Sequence, residues 1–150
     1  MIEAPPREEE LGMTDLVDDR YCFACGPRNP VGLRVEVRRE EGRCLLRWSP
    51  SREYQGFREI LHGGILATLL DEAMAHAVLG VAPGAATASL RIRFRKPART
   101  EGAILVEARV EERKGRIIRA SGVLRQEDEE KASAEGTFVV VSKPRADSSG

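Results

Sequence analysis

A pair of glycines followed at helical spacing by a single carboxylate is the part of this chain best suited to chemistry. Gly63 and Gly64 precede an apolar stretch in which Asp71 is the first acidic residue. The first N–H groups of a helix lack intrahelical partners, and the helix dipole makes them favourable to negative charge. Glycine lets a ligand approach closely, so these two N–H groups are candidate donors to an oxyanion. About two turns on, Asp71 shares a stripe with Gly64, Ala67, Thr68 and Ala75, where only small side chains surround it. A carboxylate in such a helix costs free energy without a partner or a role, and desolvation raises its pKa towards that of a useful general base. Two plainer readings stand beside these. The glycines could serve only a tight opening turn, and Asp71 could face solvent on a thin polar edge with Glu72 and His76.

The elements that must position these residues are legible from hydrophobic periodicity. The stretch from Gly63 or Gly64 to about Leu79 is apolar nearly all round, which predicts a helix buried on most sides, ending before Gly80 and the Val81–Gly84 break. Around it are strand patterns. Leu33, Val35 and Val37 alternate with charged residues, turn at Glu40–Gly42, and return through Cys44, Leu46 and Trp48. Residues 86–95 place Ala86, Ala88, Leu90, Ile92 and Phe94 on one face and Thr87, Ser89, Arg91, Arg93 and Arg95 on the other. Further strands are expected over 104–110, 117–125 and 132–141, joined by short turns. The fold class is therefore α+β, an antiparallel sheet wrapped around one long central helix. Residues 1–20 read as a flexible arm with one helical turn near Thr14–Asp19, residues 21–142 as a single domain, and residues 143–150 as a disordered tail.

Three segments resemble a known family. Leu61-His62-Gly63-Gly64-Ile65-Leu66-Ala67-Thr68-Leu69-Leu70-Asp71 resembles the HGG-x-x-A-x-x-x-D signature of PaaI-like hotdog-fold thioesterases. Cys22 to Leu33 resembles the C-x-x-C-G-x-x-N-P-x-G-L opening of one branch, and Thr87–Pro97 resembles the strand after the helix, in the same order along the chain. The resemblance implies a hotdog fold and hydrolysis of acyl-CoA, with Asp71 as general base or nucleophile and a Gly63 or Gly64 N–H on the thioester carbonyl. It implies that His62 shapes the loop before the helix, and that Thr87 and Ser89 supply a hydroxyl that holds the attacking water. Many relatives carry Asn or Gln six residues before the histidine; here that position is Gly56, with Gln55 beside it to serve instead, and the two are the loop's candidate substrate contacts. A thioester is already an activated acyl donor, so one carboxylate and oxyanion donors suffice, without a metal or a Ser-His-Asp relay.

Other residues have a functional and a plain reading. Arg91, Arg93, Arg95, Lys96 and Arg99 concentrate positive charge along one strand and its exit. They could bind the phosphates of coenzyme A, with Arg93, Arg95 and Lys96 the candidates, or form a solvated face balanced by Glu107 and Glu111. Cys22 and Cys25 invite a zinc reading, but such a site normally needs four ligands. Cys44 and the two histidines would contribute only if the fold brought them together, so the segment reads as a packed turn and no metal is expected. His76 lies one turn beyond Glu72, an i, i+4 pair of structural or interfacial character, and Glu72 is a minor rival to Asp71. Trp48 reads as core or pocket wall.

Composition narrows the classes. The chain has 150 residues, 41% of them hydrophobic and 32% charged, as expected of one globular domain. Lys+Arg and Asp+Glu are equal at 24 each, without the basic excess of a nucleic-acid binder. No apolar run reaches the ~20 residues that span a bilayer, and the acidic start lacks a signal-peptide core. Three cysteines argue against a disulfide framework, so the cytoplasm is the expected setting. The reading is an acyl-CoA thioesterase without a separate cofactor, coenzyme A being part of the substrate. It is expected to be a homodimer or a dimer of dimers, because pairing edge strands satisfies open sheet edges. The rivals are a non-catalytic acyl-CoA-binding hotdog protein and a hotdog dehydratase or hydratase. The latter's dehydratases need an acid on the helix about four turns after the histidine, where this chain has His76.

Overall fold

The long apolar stretch forms the central helix α1 (Gly63–Leu79), which buries Leu66, Leu69, Leu70, Ala73, Met74, Ala77 and Val78. The computed structural model describes residues 16–141 and 144–146. Before α1 lie β1 (Leu16–Asp18), β2 (Glu36–Glu40), β3 (Arg43–Trp48), a single 3-10 turn (Arg52–Tyr54), β4 (Gln55–Phe57) and β5 (Ile60–Leu61). After it come β6 (Ala85–Phe94), β7 (Ile104–Lys114), β8 (Ile117–Gln126), β9 (Glu129–Val140) and β10 (Pro144–Ala146).

Six strands make one antiparallel sheet in the order β2-β3-β7-β8-β9-β6. Alternation sets its two faces: β3 buries Cys44, Leu46 and Trp48 and exposes Arg43, Leu45 and Arg47. The inward residues of β7, β8 and β9, among them Ile104, Val106, Ile118, Leu124 and Phe138, form one continuous core with the helix. Close approach is possible because glycines stand beneath the helix. A Cβ on Gly136 would lie 3.3 Å from Met74 Cε and 2.9 Å from the Phe138 ring, and one on Gly122 would lie 3.4 Å from Leu70 Cδ2. The expected sheet wrapped around one helix is what the chain forms.

The turn between β8 and β9 is two residues long, with Glu127 and Asp128 both at positive φ (55° and 60°), the signature of a type I′ hairpin. Gln126, only 2% exposed, fastens the loop that returns from β6. Its Oε1 accepts from the Arg99 N–H at 2.7 Å, and its Nε2 donates towards the carbonyls of Arg99, Glu101 and Gly102 at 2.9–3.0 Å. At the chain ends two expectations change. Leu16–Asp18 is not a helical turn but a short strand in parallel register with Pro144–Ala146, so part of the expected tail is paired. The remainder of the expected arm and tail, residues 1–15, 143 and 147–150, lies outside the described residues, as does residue 142 at the end of the expected domain.

Candidate active site

The start of α1 is built by His62. Its backbone is extended (φ −62°, ψ 134°), and its ring Nδ1 accepts the Gly64 N–H at 2.8 Å as a side-chain cap. A ring that accepts at Nδ1 carries its proton at Nε2. Of the two expected oxyanion donors, the Gly64 N–H is therefore engaged by His62, while the Gly63 N–H has no hydrogen-bond partner among the described residues. The little β4–β5 hairpin sets the opposite wall. Gln55 pairs with Leu61, His62 N–H donates to the Tyr54 carbonyl at 2.9 Å, and a Cβ on Gly56 would lie 3.2 Å from His62 Cα. Glycine at 56 thus lets this wall touch the histidine, which a larger side chain would push away. Trp48 belongs to the core: its indole N–H donates to the Leu33 carbonyl at 3.1 Å, and its ring meets Tyr54 edge-on.

Asp71 is half-buried in α1, and the Thr87 hydroxyl donates to its Oδ1 at 2.8 Å. Burial pushes the Asp71 carboxyl above its ordinary value; the Thr87 bond pulls it part of the way back, and the neighbouring Glu72 charge pushes it up again. The reading of Asp71 as one of a solvent-facing trio with Glu72 and His76 does not hold. Glu72 and His76 pair with each other at 2.9 Å, as the i, i+4 spacing predicts, and Glu72 faces the cysteine turn instead.

Thr87 and Ser89 do not share a face, contrary to the alternation read from the sequence. A β-bulge lies between them: Thr87 opposes Phe138, whereas Ser89 opposes Thr137. Thr87 therefore joins Leu90, Ile92 and Phe94 on the helix side. Ser89 lines a groove on the outer face with Arg91, Arg119, Glu135 and Thr137. Within one chain the fold brings Thr87 to Asp71 and leaves Ser89 away from it. Phe94, which the residue pattern alone does not single out, also stands at the site. Its ring, 57% exposed, comes within 3.5–3.6 Å of where a Gly63 Cβ would be. Its only sequence signal is an aromatic that ends the apolar series Leu90, Ile92 and Phe94 along the strand.

The basic residues divide. Arg95 pairs with Glu130, and Lys96 pairs with Glu129 at 2.7 Å. Lys131 and Lys96 together hold the Glu129 carboxyl down to about 2. Arg93 borders an outer groove with Arg91 and Ser133 and has no ion-pair partner among the described residues. The balancing carboxylates of this strand thus come from the β9 hairpin rather than from Glu107 and Glu111. Those two pair elsewhere, with Arg125 and Arg109.

Comparison with known proteins accords with this geometry. The profile of the thioesterase superfamily matches residues 59–133, half of the chain, and runs from β5 through the helix to β9. The chain belongs to the thioesterase superfamily. Among solved structures it is similar to RHA08564, a thioesterase superfamily protein, with 28% identity and a TM-score of 0.74, covering 80% of this chain and 63% of that one. The chain therefore spans somewhat under two thirds of that relative. The PaaI protein of the E. coli phenylacetic acid degradation operon shares the fold at TM-score 0.71 and 17% identity, covering 77% of this chain and 84% of that one. Smu.793 from Streptococcus mutans UA159, solved bound to acetyl CoA, does so at TM-score 0.70 and 18% identity, covering 74% of this chain and 91% of that one. No curated protein sequence matches the chain. Among the described residues no helix is long and apolar enough to cross a membrane.

Proposed function

We propose that this protein hydrolyses acyl-CoA thioesters, with Asp71 as the base that activates water or as the nucleophile itself. The observation that carries the proposal is Asp71, half-buried in the central helix and held through one oxygen by Thr87. The second oxygen is then available to water or to the acyl carbon. As water adds to the carbonyl, its proton passes to Asp71 and the oxyanion is met by the Gly63 N–H at the positive end of the helix. Collapse of the adduct breaks the C–S bond, and the departing CoA thiolate takes up the proton. No metal is required for these steps. Superfamily membership supports the reaction type, and a neighbour of the same fold bound to acetyl CoA supports the substrate class.

Among the described residues the long strand β6 has a partner on one side only, and Gly64, Ala67, Thr68, Asp71 and Ala75 are not fully covered within one chain. A second copy added along β6 would close that edge and cover that stripe, so the active assembly is proposed to be a homodimer or a dimer of dimers. The deciding experiment assays wild type and Asp71→Asn on acyl-CoAs of graded chain length and on an aryl-acyl-CoA. Loss of turnover in the variant, with folding retained, is the expected result. Unchanged hydrolysis would remove Asp71 from the mechanism, and wild type that binds acyl-CoA but hydrolyses none would make the protein a binder.

A further inference from the structure

A second cluster of reactive side chains meets on α1 one residue past Asp71, and the hydrolytic reading does not use it. Its first half is the turn Cys22–Gly26. The Gly26 N–H donates to the Cys22 carbonyl at 2.8 Å, and a Cβ on Gly26 would lie 2.2 Å from the Cys22 nitrogen. Only glycine closes a turn this tight. The rest of the loop is fixed too. Asn29, 8% exposed, accepts the Val31 N–H at 3.0 Å and donates to the Tyr21 carbonyl, while the Leu33 and Val35 N–H groups donate to Phe23 and Ala24.

This turn presents both thiols to Glu72. Cys22 Sγ is 3.8 and 3.9 Å from the two Glu72 oxygens, and the donor atoms of Cys22, Cys25 and Glu72 all lie within 4.8 Å of one another. In a tetrahedral zinc site with Zn–S of ~2.3 Å and Zn–O of ~2.0 Å, donors stand ~3.3–3.8 Å apart. The Cys22–Glu72 separations are close to that spacing, and the other pairs lie at most about 1 Å beyond it. Beside it, His76 Nε2 is 2.9 Å from Glu72 Oε2, and its Nδ1 is a buried nitrogen without a partner among the described residues.

We propose that Cys22, Cys25 and Glu72, with His76 as the fourth donor, form a zinc site that clamps the 20–35 loop onto the central helix. Two thiolates select a soft or borderline divalent ion over calcium or magnesium. Binding replaces the two thiol protons, which are released to solvent, and brings charge balance to a carboxylate otherwise faced by thiols. The sequence alone offers the cysteine pair without further ligands. The fold supplies them from residues 50 positions away. The site stands on its own geometry and does not depend on the hydrolytic reading.

The full chain, kept reduced, stripped with EDTA and desalted, is titrated with zinc chloride against a chromophoric chelator and, separately, with cobalt(II). One equivalent of zinc is expected, with a dissociation constant on the order of nanomolar or tighter. Cobalt should give the intense visible bands of a tetrahedral thiolate site. Cys22→Ser, Cys25→Ser and Glu72→Gln should each weaken zinc by at least about 100-fold, and His76→Ala by roughly 10- to 100-fold. Cys44→Ala should leave the stoichiometry unchanged. Should a cysteine variant fail to fold, alkylation of the wild type replaces it: zinc should protect Cys22 and Cys25 together, and thiols that react equally fast with and without zinc would overturn the site. The proposal is overturned also by substoichiometric binding, by binding that survives the double change Cys22→Ser/Cys25→Ser, or by an octahedral cobalt spectrum. A Cys22–Cys25 disulfide trapped by acid quenching of whole cells would overturn it as well.

Discussion

Asp71 and Glu72 are consecutive carboxylates on one helix, and the fold treats them in opposite ways. Asp71 is desolvated and receives one hydroxyl, so its carboxyl sits above the ordinary value. Glu72 is desolvated as well, but the His76 ring and the Cys25 and Cys22 thiols more than offset the burial, and its carboxyl sits below. A helix turns by about 100° per residue, so one step along the chain moves from a sparsely partnered face to a saturated one. The contrast separates two roles. A carboxylate with a free oxygen and a raised pKa is able to take a proton, whereas one surrounded by donors is a holding group.

Exchanging each carboxylate for its amide tests that separation most severely. Asp71→Asn should lower kcat/KM by on the order of 10²–10⁴ while leaving zinc uptake intact, as read by turnover and chelator competition on one preparation. Glu72→Gln should show the reverse pattern, with zinc uptake lost and turnover reduced far less than by Asp71→Asn. If both variants lose both properties, the two faces are not independent.

Metal removal comes next. Zinc at about 100 times its dissociation constant stabilises a native state that alone binds it by ~2.7 kcal/mol, worth roughly 5–11 °C in a domain of this size. Stripping with EDTA should lower Tm by that amount in wild type and not in the Cys22→Ser/Cys25→Ser variant, measured by scanning calorimetry.

Thr87→Val sharpens the Asp71 side. Losing a hydrogen bond to a charged group costs about 1.5–3 kcal/mol, which predicts a fall in kcat of ~10- to 100-fold. Since the hydroxyl lowers the Asp71 carboxyl, its removal raises the pKa further. The base must be ionised, so activity is lost as pH falls through that pKa, and the acidic limb of the pH–rate profile should move to higher pH in the variant. A limb that stays in place would mean another group controls it.

The smallest effect is expected at the basic strand. Arg93→Ala should raise KM for acyl-CoA several-fold, by about 1 kcal/mol or less for an exposed charge, and leave a truncated thioester lacking the nucleotide unaffected. Lys96→Ala should change KM less, because Lys96 is already paired with Glu129.

Much of this architecture is legible in the residues themselves. The helix from Gly63 to Leu79 is fixed to the residue at its end, because an apolar stretch of that length closed by Gly80 and Pro83 leaves few alternatives. The hairpins follow from alternation and glycine turns, apart from Glu127-Asp128, where two acidic residues adopt the positive φ usually given to glycine. What escapes is non-local or a matter of counting. Pairing of Leu16–Asp18 with Pro144–Ala146 joins the two ends of the chain, and no local pattern reports it. Glu72 meets Cys22 across 50 residues, so the cysteine pair looks ligand-poor when read along the chain. The Gly64 N–H reads as an oxyanion donor, yet His62 two residues earlier reaches it first, a competition that depends on a side-chain torsion rather than on residue type.

The bulge in β6 carries one more consequence. On a regular strand, parity alone tells inside from outside, so two positions apart means the same side. One uncounted residue between Thr87 and Ser89 breaks that rule. Relatives that carry hydroxyls in the same two alignment columns, but shift or lose the bulge, would present the opposite one to the helix. Columns of an alignment record descent; in this strand they do not record direction, and comparing catalytic hydroxyls across the superfamily requires counting from the bulge rather than from the motif.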